Sequence, residues 1–139
     1  MREMHSKKLI IFVMAFLIVM LSAACQANDD PYGKEILNME RNFAKSEYEE
    51  RYKTSFDEIT VKKKHVYTFD FSATLSSGSA NISIVDANDN KLWDKEIRSG
   101  DYQEKVSLSD IPPGICKIVI DINEDTEGHI AYIVKEKKK

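Results

Sequence analysis

The sequence has little with which to do covalent or redox chemistry. It contains two cysteines and three histidines in 139 residues, and past residue 25 only Cys116, His65 and His129 remain. One thiol closes no internal bridge, so the domain must be stable without a disulfide. G-x-S-x-G, H-E-x-x-H and phosphate-loop patterns are all absent. A hydrolytic triad would need His65 or His129 to meet both a nucleophile and a carboxylate, and no local pattern supplies them. Cys116 stands in a run with Ile118 and Ile120, an apolar setting that raises a thiol's pKa and makes it inert. No catalytic residue is assigned, and the chain reads as a non-enzyme. An excess of positive charge is missing too. The formal charge is -3, and past residue 25 there are 17 Lys plus Arg against 22 Asp plus Glu, a balance of -5. That balance, with no basic-aromatic face, excludes nucleic acid as a partner. The length permits one small domain and excludes a multidomain enzyme or a two-lobed solute receptor.

Long apolar runs are absent except at the front. Arg2, Lys7 and Lys8 precede an unbroken apolar run of 13 residues, 9–21. That length fits the core of a secretory signal and falls short of the roughly 20 residues of a membrane-spanning helix. Small residues follow in Leu21-Ser22-Ala23-Ala24-Cys25. The stretch resembles the lipobox of bacterial lipoproteins. The resemblance implies that residues 1–24 are a cleaved signal and that Cys25 is lipidated to become the mature amino terminus. Acyl chains there would hold the protein on the extracytoplasmic face of the cell membrane, since two or more chains anchor stably where one does not.

Residues 26–33 are polar, contain Pro31, and read as a tether. From 34 to 53 charges are dense. Ile36, Met39, Phe43, Tyr48 and Tyr52 recur every three to five residues, which fits a short helix or a linker. A domain boundary is expected near residue 54. Beyond it the chain turns β-branched: past residue 25 there are 18 Ile plus Val against four Leu, and branching at Cβ suits a pleated surface. Tyr67, Phe69, Phe71, Ala73 and Leu75 alternate strictly with polar residues. Ala80, Ile82 and Ile84 do the same before Asp86-Ala-Asn-Asp-Asn90 turns the chain. Further strands follow over 91–97, 102–108, 115–122 and 128–136, and Ile111-Pro-Pro-Gly114 punctuates the series. With 56–61 as an opener this makes about seven strands. Short strands so spaced predict an all-β antiparallel sandwich over residues 55–139.

Three stretches carry a further likeness: Val61-Lys-Lys-Lys-His-Val-Tyr-Thr-Phe69, Ser83-Ile-Val-Asp-Ala-Asn-Asp-Asn-Lys-Leu-Trp93, and Pro113-Gly-Ile-Cys-Lys-Ile-Val-Ile-Asp121. They resemble the small jelly-roll-like sandwiches of Gram-positive secreted proteins, of the kind seen in bacterial pre-peptidase C-terminal domains. That resemblance implies a non-catalytic accessory or binding role and passes on no particular ligand.

Few side chains then stand out as a site. Asp86-x-Asn88-x-Asn90 fills the first three positions of an EF-hand-like loop. However, Lys91 takes the place of its glycine and Ile97 that of its final glutamate, so the motif reads as a hairpin turn. Asp121, Glu124, Asp125 and Glu127 crowd the last turn, where oxygen ligands could hold calcium weakly; no other cofactor is expected. Trp93 and Tyr102 are candidates for an interaction surface, although parity does not decide whether Trp93 or Leu92 faces outward. Lys135, Lys137, Lys138 and Lys139 form a basic tail that fits a solvated terminus or an anionic surface. Together these features predict a membrane-anchored binding module whose partner is a wall polymer or an envelope protein. The alternatives are an inhibitor or protective lipoprotein acting on an extracellular enzyme or toxin through a protruding loop and, behind it, a small hydrolase. A polymer binder should display a row of exposed aromatics on one sheet face.

Overall fold

The computed structural model describes residues 30–139; the signal segment and Cys25 lie outside the described residues. Eight strands form: β1 Lys34–Phe43, β2 Thr54–Val61, β3 His65–Ser77, β4 Ala80–Val85, β5 Lys91–Ile97, β6 Gly100–Ser109, β7 Gly114–Ile122 and β8 Glu127–Lys138. Two short 3-10 turns, Lys45–Glu47 and Glu50–Tyr52, link β1 to β2. Every strand pairing is antiparallel. One sheet has the order β1-β8-β3-β6 and the other β2-β7-β4-β5, the winding of a double-sheet jelly roll.

The alternation in the sequence becomes the inside and outside of this sandwich. Tyr67, Phe69, Phe71, Ala73 and Leu75 of β3 are buried, as are Ile130, Tyr132 and Val134 of β8. Across from them Ile82 and Ile84 of β4 and Cys116, Ile118 and Ile120 of β7 are fully buried. Phe71 joins the two layers. Its ring stacks on Trp93 of the opposite sheet, with centroids 5.0 Å apart and planes 4° from parallel, and meets Tyr132 at 5.8 Å.

Two buried tyrosines add polar links between the sheets, each taking its hydroxyl to β2 or the residue after it. The Tyr67 hydroxyl accepts the Lys62 amide at 2.8 Å. The Tyr132 hydroxyl donates to Asp57, whose carboxylate also takes Arg41 Nη2 at 2.7 Å. Burial, and then that bond to an acceptor, raise the Tyr132 phenol well above its ordinary pKa, so it stays a donor.

β1 corrects the expectation of a short helix or linker. Leu37, Met39, Arg41 and Phe43 share its inner face, opposite Val134, Tyr132, Ile130 and Gly128. Two features hide that period of two. A bulge between Glu35 and Leu37 inserts Ile36 out of step, and a charged Arg41 occupies an inward position. Among the described residues the strand count is therefore eight and not seven.

Turns obey local chemistry. Lys64, Asp89 and Asp110 hold φ of 58°, 62° and 63°, the left-handed region that Asp tolerates and Lys rarely adopts. Gly128 is more constrained: at φ 142°, an added Cβ would stand 2.1 Å from the Thr74 carbonyl oxygen.

Truncating Phe71 removes the ring that both layers share. Phe71→Ala should lower the unfolding free energy of the full chain by about 3–5 kcal/mol, read by urea denaturation. The single tryptophan, Trp93, reports the transition because it loses its stacking partner. A loss under about 1 kcal/mol would contradict this role.

Candidate functional site

The longest connection in the sandwich, between β1 and β2, builds an open groove of about 340 Å³. Phe43, at the end of β1, and Tyr48 and Tyr52, from the connection that holds the 3-10 turns, supply aromatic surface; Asn42, Glu47, Glu49 and Ser55 supply polar groups; Arg41, Ala44 and Ile122 complete the lining. Tyr52 is 63% exposed, the most open large apolar side chain among the described residues.

The loop is pinned rather than slack. Glu47 and Tyr52 donate backbone amides to the Ala44 and Glu49 carbonyls at 3.0 and 2.9 Å, and the Ile122 amide reaches the Lys53 carbonyl at 2.9 Å. Side chains add to this. The Tyr48 hydroxyl donates to Glu50 at 2.5 Å, Lys53 Nζ meets the same carboxylate, and Arg51 Nε meets Glu49 at 2.8 Å. That hydrogen bond to Glu50 pushes the Tyr48 phenol up to about 12. The Arg51 guanidinium also lies 4.6 Å from the centre of the Tyr52 ring, a cation–π contact. On the outer side His129 Nδ1 bonds Asn42 Oδ1 at 2.9 Å and orients that amide. Arg41 is half-buried and held by Asp57, while its Nε is buried without a partner. The groove thus presents ring faces and hydroxyl, amide and carboxylate groups in a fixed frame, which suits a polar ligand with flat apolar patches.

The reactive groups stay apart. His65 Nδ1 bonds the Lys63 carbonyl oxygen at 2.8 Å and His129 bonds Asn42; among the described residues neither imidazole has a carboxylate or nucleophile partner. Cys116 is fully buried, and burial, then the nearby Asp86 charge, push its thiol up to about 11.

The expected site residues do not converge. Asp121 takes a hydrogen bond from Thr54. Asn123 and Thr126 organise the adjoining turn: the Asn123 amide donates to Thr126 Oγ1 at 2.9 Å, and that buried hydroxyl donates to the Ser79 carbonyl at 2.6 Å. Among the described residues no group of three His, Cys, Asp or Glu side chains could hold a metal, so Asp121, Glu124, Asp125 and Glu127 make no ligand set. Asp86 closes its own hairpin, accepting the Asn88 and Asn90 amides at 2.8 and 2.9 Å.

Trp93 is half-buried against Phe71, and Leu92 is half-buried as well. The ladder slips here: Ile84 faces Trp93 and Val85 faces Lys91, which leaves Leu92 as the bulged residue. Parity fails at a bulge, so both side chains turn toward the core. Tyr102, on the inner side of β6, also packs on the core and donates its hydroxyl to Glu104. Neither Trp93 nor Tyr102 belongs to the groove. Nor is there, among the described residues, a row of exposed aromatics on one sheet face. The exposed large apolar residues, Tyr32, Tyr52, Phe56 and Ile115, are scattered over separate elements. In the sequence Tyr48 and Tyr52 stand in a segment without clear period and fit an interface or a plain linker alike; the fold brings them together with Phe43.

No protein-family profile matches the chain, and no curated protein matches it in sequence. Among solved structures it is similar to the carbohydrate-binding module TmCBM61 in complex with β-1,4-galactotriose, with 14% identity, a TM-score of 0.44 and 62% of each chain covered. It is also similar to a protein of Bacillus endospore appendages, which form disulfide-linked pili. There identity is 9% and the TM-score 0.44, with 81% of this chain and 97% of that one covered. A third is the Cellvibrio mixtus module CBM6cm-2 from lichenase 5A, in complex with cellotriose, at 14% identity and a TM-score of 0.34, covering 59% and 65% of the two chains. The chain spans about three fifths of the first of these. At such scores the likeness carries no assignment of ligand.

The Asp86 clamp has a pH signature. Hydrogen bonds, first from the Asn90 amide, hold its carboxylate below the ordinary value of 3.8. The folded state therefore favours the charged form. Its stabilisation is complete above the unfolded pKa and is lost as pH falls through the lowered native value. The urea midpoint should fall as pH drops below about 4, and Asp86→Asn should flatten that decline. An identical pH profile in the variant would refute the clamp.

Proposed function

We propose that this chain is a lipid-anchored, extracytoplasmic, non-catalytic binding module that holds a hydroxyl-rich segment of an envelope polymer in the groove between β1 and β2. One observation carries the reading: Phe43, Tyr48 and Tyr52 gather in one pinned, open groove with the hydrogen-bonding groups of Asn42, Glu47, Glu49 and Ser55. Ring faces stack on the apolar face of a sugar while amide and carboxylate groups bond its hydroxyls. Such a ligand needs no depth, which agrees with an open groove on a small sandwich. The isolated positions of His65, His129 and Cys116 support a role without turnover.

The test is retention of the protein on purified wall material. Tyr48→Ala and Tyr52→Ala should each weaken retention about tenfold, or 1.4 kcal/mol, with the urea midpoint nearly unchanged because neither ring is part of the buried core. Wild-type retention in both variants would move the site elsewhere. No retention of the parent chain on wall material, with capture of an envelope protein instead, would favour the protein-partner reading.

The anchor rests on the basic start, the 13-residue apolar run and Ser22-Ala23-Ala24-Cys25. Cys25→Ser should release the protein into the medium or leave it unprocessed at a higher mass. Unchanged membrane retention at the mature size would refute lipidation at Cys25.

A further inference from the structure

The basic residues that the sequence scatters are drawn to one end of the sandwich. The Lys62-Lys63-Lys64 turn closes β2 onto β3, and the last residues of β8 run beside the start of β3, with Lys138 opposite His65 and Lys137 opposite Val66. The Lys139 amide donates to the Lys64 carbonyl at 2.8 Å, tying tail to turn. Lys34 begins β1 at this end, opposite Glu136. Lysines 34, 62, 63, 64, 137, 138 and 139 are all exposed.

Charge at this end is opposite in sign to the rest. With Lys91, Lys117 and Lys135 it holds ten lysines, against six carboxylates: Glu35, Glu58, Asp86, Asp89, Asp110 and Glu136. Residues 30–139 hold 17 Lys plus Arg and 21 Asp plus Glu in all, so the remainder has seven against fifteen. Four of those carboxylates are already engaged: Glu136 by Lys62 at 3.0 Å, Asp110 by Lys139, Glu35 by the Asn38 amide at 3.3 Å, and Asp86 by its own turn.

This is also the end where β1 begins, a few residues after the segment that carries Cys25. The nine residue steps from Cys25 to Lys34 extend at most about 30–32 Å when stretched, so an acylated Cys25 keeps Lys34 within that distance of the headgroups. Anionic lipid attracts polybasic surfaces within roughly a Debye length, about 8–10 Å. We propose that this lysine-rich end packs against the anionic headgroups of the membrane in which Cys25 is anchored, and so fixes how the domain stands on it. The proposal uses the anchoring stated above, but its contact is a separate one and can be read separately.

The full chain, purified in detergent and placed in vesicles, should show the contact as slowed amine acetylation, followed lysine by lysine by mass spectrometry. In vesicles with about one third phosphatidylglycerol, Lys62, Lys63, Lys64, Lys137, Lys138 and Lys139 should react at least threefold more slowly than in pure phosphatidylcholine. Lys45, Lys53 and Lys95 should react alike in both, and salt near 0.5 M should abolish the difference. The triple variant Lys62→Glu, Lys63→Glu, Lys64→Glu should lose the protection of lysines 137–139. Equal rates in the two vesicle types would overturn the proposal. So would slowing produced only by a soluble polyphosphate added to neutral vesicles, which would assign the surface to a wall polyanion. Intact mass reads acylation independently. An unacylated chain that still shows the protection removes the anchor and leaves the contact, whereas an acylated chain without it removes the contact alone.

Discussion

The stacking of Phe71 between the sheets is the interaction on which the rest of the molecule depends. A two-layer sandwich has no helix to cover either sheet, so each buries its apolar side only against the other. Phe71 sits near the middle of β3 and meets Trp93 from one layer and Tyr132 from its own. Around it the buried Ile and Val side chains contribute area, while the Tyr67 and Tyr132 hydroxyls fix where β2 lies. Asp57 serves two donors at once and stands beside the groove, so the polar frame that positions Arg41 also holds sheet against sheet. The site therefore inherits its rigidity from the core.

The fold was legible where side chains alternate or where an apolar run is bounded by turn residues. β3 and β4 alternate and β7 and β8 are such runs, and each formed where the pattern placed it to within about two residues. The two failures share one cause. At Ile36 and Leu92 an extra residue in the ladder resets parity, and a bulge leaves no mark in composition. Arg41 compounded the first by putting a guanidinium where an apolar residue would have betrayed the strand.

The groove was less legible still. Its aromatics come from β1 and from turns that bring Tyr48 and Tyr52 toward Phe43, a closeness set by backbone bonds such as that from Ile122 to Lys53. The acidic turn at 121–127 shows the converse. Four carboxylates lie near one another in sequence, while Asn123 and Thr126 supply the hydrogen bonds that shape the turn. Lys34 and Phe43 bound the same strand of ten residues, so the lysine-rich end and the groove lie about 30 Å apart. On the proposed reading the groove then points away from the membrane.

One pairing bears on how the protein is made. β1 has β8 as its sole neighbour in the sheet, with Phe43 opposite Gly128 and Lys34 opposite Glu136. The sequence gaps, 128 minus 43 and 136 minus 34, are 85 and 102 residues. Closing loops of that size is entropically slow. A nascent chain thus holds β1 without its ladder until β8 has been made, although the β4–β5 hairpin can close long before.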